Sequence, residues 1–164
     1  MGVHEEFTEY AAARAGRLRD TAYLMCGDWH QAQDLTQAAQ ARVFVAWERI
    51  QRRDNVDAYA RTVLLRELLN ERRRRRSTER PVANVPEVAA RPDETALRVT
   101  LVDALRRLPP NRRAVIVLRY WDDQSVDAVA DIMGITAVAV KSLTVRALAE
   151  LRSVLGNDLT TANP

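Results

Sequence analysis

The side chains with the clearest chemical potential in this chain are cations and small hydroxyls. Between Thr136 and Arg146 stand Thr136, Lys141, Ser142, Val145 and Arg146. On a helix these residues share one side. Lysine and arginine there can hold phosphate or read base edges, and threonine and serine can do either. A second concentration is the unbroken run Arg72–Arg76. It reads either as a phosphate contact or as a solvated helix end facing the negative pole of its own dipole.

Nucleophilic and metal chemistry have little to build on. Cys26 is the single cysteine, which excludes an internal disulfide and a Cys-rich zinc site. A Cys26–His30 nucleophile pair is conceivable; the plainer reading is a small apolar cysteine at a helix end and a surface histidine. His4 and His30 are too few and too far apart for a metal cluster. No Gly-rich phosphate loop, GxSxG elbow or HExxH is present. We expect no catalytic residues, no metal, no cofactor and no enzyme.

Charge is unevenly distributed along the 164 residues, whose net charge is +3. Residues 1–41 carry three arginines against six acids. Residues 42–80 carry twelve arginines against six acids, and residues 81–164 carry ten cations against ten acids. The middle third therefore points to an anionic partner. Arginine accounts for 24 of the 25 basic residues, a bias that a GC-rich genome also produces. No apolar run is long enough to span a bilayer. Glu5, Glu6 and Glu9 stand where a signal peptide needs cations. The expected location is the cytoplasm, with no membrane partner.

The elements that must position these groups read as helices. Hydrophobic residues make up 47% and glycine and proline are few, so an all-α fold is expected. Helices are predicted over about 4–26, 29–50 and 55–75. Gly27 closes the first, Asp28 caps the second, and Asp54–Asn55 form a break and a cap. Leu35, Ala39, Val43, Trp47 and Ile50 form one stripe, with Phe44 beside it. Trp47 reads as core or as a base-stacking platform, and Trp29 as an exposed contact or a turn plug.

Pro81, Pro86 and Pro92 punctuate an aperiodic stretch that reads as a flexible linker, long enough to let two bundles sit apart. Asp93 is the expected cap of the next helix, with Leu97, Leu101, Leu105 and Leu108 inward and Pro109–Pro110 as its stop. A helix from Asn111 comes next, ending near Tyr120–Trp121, which read as core of this half. Ser125 caps a short helix over 126–133. Gly134 turns the chain, Thr136 caps, and a last helix covers about 137–155. Ala130, Gly134 and Val140 have the spacing of a helix-turn-helix: a small residue where the helices cross, a residue tolerant of positive φ in the turn, and an apolar pin about six positions later. Val129, Ile135 and Leu148 supply flanking core. The alternative is two packed helices without a DNA role.

From Ala104 the stretch ALRRLPPNRRAVIVLRYWDDQSVDAVADIMGITAVAVKS resembles region 4 of bacterial RNA polymerase sigma factors of the extracytoplasmic-function (ECF) class. RDTAYLMCGDWHQAQDLTQAAQARVFVAW from Arg19 resembles region 2, with the D-L-x-Q core at Asp34–Gln37, and DAYARTVLLRELLNERRRRR from Asp57 resembles its end. The resemblance covers about 20–155 and is strongest to the short actinobacterial sigma-E-like group.

It implies a region 2-like helical domain over 1–76, a linker over 77–92, a region 4-like helix-turn-helix domain over 93–156 and a tail over 157–164. The implied function is a transcription initiation factor that binds core RNA polymerase and directs it to promoters. Asp34, Leu35 and Gln37 would meet the clamp coiled coil of the polymerase β′ subunit. The 48–57 loop and the third helix, through Arg61, Arg66, Asn70, Arg72, Arg73 and Arg74, would melt and hold the −10 element. Region 4 would meet the β flap and read −35 with Thr136, Lys141, Ser142 and Arg146. Promoter DNA and core polymerase are the implied partners, and an anti-sigma factor is a further candidate.

The chain departs from the family pattern at Gln33 and Ala38, where acids are usual, and at Gln40, usually apolar. Arg66, Asn70, Val138–Ala139 and Leu143 also differ from the usual residues. These changes fit an altered promoter, a weak sigma factor or a degenerate protein that only occupies polymerase or an anti-sigma factor. A stand-alone helix-turn-helix regulator is the remaining reading, though no coiled-coil dimerisation helix is evident.

Overall fold

The computed structural model describes residues 2–50, 54–78 and 89–161. Seven α-helices appear among them and no strand: α1 (Val3–Cys26), α2 (Trp29–Ala46), α3 (Asp54–Thr78), α4 (Ala96–Arg106), α5 (Pro110–Ile116), α6 (Val126–Met133) and α7 (Ala137–Thr161). Most of the linker, the middle of the 48–57 loop and the end of the tail lie outside the described residues.

Local signals set most boundaries. Gly27 takes a left-handed φ of 73° and its amide donates to the Tyr23 carbonyl, closing α1. The positive φ favours glycine there, and a Cβ on Gly27 would come within 2.4 Å of the Arg106 side chain, which would have to shift. The Asp28 carboxylate accepts from the His30 and Gln31 amides and opens α2. Ser125 caps α6 by accepting from the Ala128 amide, and Gly134 ends it at φ 68°. Thr136 accepts from the Ala139 amide at the start of α7.

Other boundaries differ from the sequence reading. α2 stops at Ala46, before Ile50. The cap of α4 is Thr95, whose hydroxyl accepts from the Arg98 amide; Asp93 instead occupies a turn at φ 62°. α5 starts at Pro110, because the first helical position needs no amide donor. The chain then widens into a π-helical stretch at Val117–Trp121 that ends with the Asp122 amide donating to the Val117 carbonyl. An inserted residue of this kind rotates the next part of the chain about the helix axis. It changes the direction of Trp121 and Asp122, at the end of the stretch.

The core is one continuous apolar cluster running through both halves of the chain. Val43, Val56, Leu64, Leu108, Val115, Leu118, Val129 and Val140 are fully enclosed. Each stabilises the fold by about 1.5–3 kcal/mol relative to exposure. Ala32 and Ala39 are wholly buried on α2 and let its backbone approach α1 and α3. The leucine stripe of α4 is only half used: Leu105 and Leu108 are buried, while Leu97 is 79% and Leu101 37% exposed. Tyr120 is also exposed, and Trp121 packs outward onto α1 rather than into the C-terminal core. The two bundles lie against each other, with α3 on α6 and α1 against α4, α5 and the π-helical stretch.

Candidate nucleic-acid and polymerase interface

α6 and α7 meet at 100°, within the range of a helix-turn-helix. Val129, Ala130 and Val140 are buried at the crossing, with Ile135 and Leu148 half-buried beside them. Thr136, Val138, Lys141, Ser142, Val145 and Arg146 are all exposed. The four residues named for −35 recognition are thus all open to solvent, Thr136 at the cap and the other three on α7. Two valines, 77% and 70% exposed, stand among them. Glu150 on the same helix is held by Arg112 in an ion pair.

On α2 the expected polymerase residues divide. Asp34 and Gln37 are exposed, whereas Leu35 is 3% exposed and faces the core. Leu35 therefore holds the helix while its neighbours meet solvent. Phe44 and Val45 extend the exposed side of α2 with apolar surface, Phe44 lying 4.9 Å from Phe7 between ring centres. Trp47 is buried against Phe7 and Tyr10, which decides for core over a stacking platform.

On α3, Arg66, Asn70, Arg73 and Arg74 are exposed and Arg72 is half-buried. Arg61 differs. Its Nε lies 3.3 Å from Oδ2 of Asp122, a residue from the other half of the chain. The Asp122 side chain is 2% exposed. It also receives Arg17 Nε at 3.3 Å on Oδ1, and the Thr21 hydroxyl at 3.2 and 3.3 Å on its two oxygens. The Arg17 guanidinium lies over the Trp121 ring at 4.1 Å and donates to the Trp121 carbonyl. The Trp121 indole N–H donates to the Thr21 hydroxyl. By sequence alone Asp122 belongs to a surface turn. About a hundred residues separate it from Arg17 and Thr21, and no local pattern connects them.

The basic pair Arg112–Arg113 also has a structural task. Arg113 is 4% exposed and donates to the carbonyls of Met25, Arg106 and Leu108 at 2.6, 3.0 and 3.0 Å. Burial, reinforced by Arg72, pulls its pKa down to about 10, so it remains charged at neutral pH. Trp29, 8% exposed, is a plug: it packs edge-on against Tyr23, and Arg19 and Arg91 stack on it at 4.7 and 5.3 Å. Its amide donates to the Ala89 carbonyl, fixing the chain near the end of the linker.

Among the described residues no cluster of His, Cys, Asp and Glu could hold a metal ion. Burial pushes the Cys26 thiol up to about 11, and its Sγ donates to the Asp28 carbonyl, so it is a poor nucleophile at neutral pH. Among those residues, too, no single helix is long and apolar enough to cross a membrane.

Residues 11–78 match the sigma-70 region 2 model and residues 98–151 the sigma-70 region 4 model. The chain is 38% identical to the RNA polymerase sigma-E factor of Streptomyces coelicolor over 157 residues, covering 94% of this chain and 89% of that one. It is 27% identical over 179 residues to the ECF RNA polymerase sigma factor SigG of Mycobacterium tuberculosis, covering 91% of this chain and 48% of the other. In fold it is similar to the sigma factor RpoE of Bartonella quintana, solved in complex with the anti-sigma factor NepR, at a TM-score of 0.76 and 22% identity. That match covers 93% of this chain and 98% of the other.

Proposed function

From the premise that the chain belongs to the sigma-70 family, as a transcription initiation factor of the extracytoplasmic-function class, we propose how its surfaces divide the work. Residues 1–76 bind core RNA polymerase and hold the −10 element. Residues 77–92 link this half to residues 93–156, which read −35. The observation that carries this reading is the exposed face of α7, which sets Thr136, Lys141, Ser142 and Arg146 outward from a helix crossing at 100°. A helix so presented fits the major groove, with its first turn nearest the bases.

Polymerase contact falls to the exposed side of α2, led by Asp34 and Gln37 on the β′ clamp. The region 4 half meets the β flap. Arg66, Asn70, Arg72, Arg73 and Arg74, joined by Arg61 once it is released from Asp122, form the −10 surface on α3. Their cations supply sequence-independent affinity through counterion release, and specificity comes from base edges and extruded bases. No step needs a catalytic residue, metal or cofactor, and the site of action is the cytoplasm. An anti-sigma factor is a candidate regulator.

Run-off transcription with purified core polymerase and the DNA upstream of the gene is the direct test. We expect a discrete transcript that needs this protein. Core polymerase bound without any transcript would favour the degenerate, polymerase-occupying reading instead.

A further inference from the structure

We propose that Arg17, Arg61 and the Thr21 hydroxyl form a binding site for a promoter-DNA phosphate, and that Asp122 fills it in the closed molecule. The proposal rests on the reading of α3 as a −10 surface and adds α1 to it.

All three ligating groups belong to the N-terminal half, and the anion they hold comes from the C-terminal half. Two guanidinium groups meet one carboxylate, so the cluster keeps one positive charge in excess. Arg17 Nε takes one Asp122 oxygen and Arg61 Nε the other, while the Thr21 hydroxyl lies 3.2 and 3.3 Å from the two and shares its one proton with the Arg17 carbonyl at 3.0 Å. A phosphodiester offers the same edge: one negative charge shared by two neighbouring oxygens, each able to accept a charge-assisted hydrogen bond. The nearby acid is already engaged, since Asp57 accepts from the Tyr10 hydroxyl at 2.8 Å and pairs with Arg14 at 3.4 Å. A cleft opens at this point, its polar lining including Arg14, Arg17, Thr21, Arg61 and Asp122 together with the engaged Asp57. Arg17 is half exposed even with Asp122 in place, so solvent already reaches one side.

The geometry makes the two occupants exclusive. While Asp122 is seated, the halves are joined and its two oxygens occupy the Arg17 and Arg61 Nε positions that a phosphate would take. A phosphate that displaces Asp122 removes its contacts with Arg17, Arg61 and Thr21 and holds the cations that made them. DNA binding and opening are then one equilibrium.

The test uses the full chain, a fluorescent −10 fork oligonucleotide and small-angle scattering. Asp122→Asn should shift the equilibrium toward the open form and raise affinity for the fork by about tenfold. Adding Arg17→Gln should then lower that affinity and reduce the salt slope by close to the ~0.7 associated with one single-strand phosphate. A double variant that binds as tightly as Asp122→Asn, with the same slope, would reduce Arg17 to a tether and overturn the proposal. If Asp122→Asn loses its helical melting transition, Arg17→Gln alone decides. It should open the molecule without a gain in DNA affinity, whereas a mere tether predicts a gain. Inorganic phosphate at matched ionic strength should not open the wild-type chain; opening equal to that caused by DNA would make this a general anion site and overturn the assignment to DNA. Transcription by the wild-type holoenzyme tests the underlying reading separately.

Discussion

Replacing Arg113 with methionine would leave the buried carbonyls of Met25 and Leu108, and the part-buried carbonyl of Arg106, without this donor. An orphaned buried acceptor costs about 1–3 kcal/mol. We therefore expect Arg113→Met to lower the unfolding free energy by at least about 2 kcal/mol, the sum over the two buried acceptors at the low end of that range, read from urea denaturation. A loss under about 1 kcal/mol would show that water replaces the guanidinium. In the sequence this arginine resembles half of a basic DNA-binding pair, because charge alone does not reveal whether a guanidinium meets phosphate or carbonyls. Asp34 is the opposite case. It is exposed and stands between the neutral Gln33 and Ala38 of the expected clamp surface. Asp34→Ala should weaken core polymerase binding by about 1–3 kcal/mol with no change in thermal stability. Ala38→Glu should strengthen it, and unchanged titrations in both variants would move the interface off this stretch of α2.

At the scale of single helices, the legible features are those that depend on local chemistry. Gly27, Asp28, Ser125, Gly134 and Thr136 have the residue types of stops and caps and act as such, since each works through its own neighbours. The small and apolar residues of the helix-turn-helix are readable from spacing for the same reason. Leu97 and Leu101 are expected inside and found exposed, because periodicity marks a face without saying whether anything covers it. Trp121 is expected in the core of its own half, and the π-helical insertion that turns it toward α1 leaves no trace in a hydrophobic pattern. For α7 the periodic reading does give an exposed face, and its chemistry is testable. Lys141→Ala should reduce promoter binding by the holoenzyme. An equal loss on every −35 variant assigns Lys141 to phosphate, whereas relaxed preference at one position assigns it to a base. Full activity of a Lys141→Ala, Arg146→Ala double variant would remove this face from promoter recognition.

Across the whole molecule, the two surfaces proposed for DNA are not equally available. The exposed face of α7 remains open to solvent, while Arg61 is held by Asp122 and the halves share one core. A chain closed in this way cannot set one half on −35 and the other on −10, because each base pair of intervening spacer adds about 3.4 Å of helix axis. Opening costs the exposure of apolar contacts along α1, α3, α4 and α6, and melting −10 costs unstacking as well. A single recognition helix contacts too few base pairs to offset both. The free protein should therefore bind promoter DNA weakly, with steep salt dependence and little sequence preference. On the proposed division of contacts, core polymerase offers a separate docking surface to each half, and its binding energy can drive their separation. Adding core enzyme at about physiological salt should convert weak retention in a gel shift into tight, sequence-selective binding. Permanganate reactivity should appear at −10 thymines only in that lane. Tight selective binding by the protein alone, unchanged by polymerase, would mean that the halves separate without help and that the contacts around Asp122 do not govern access to DNA.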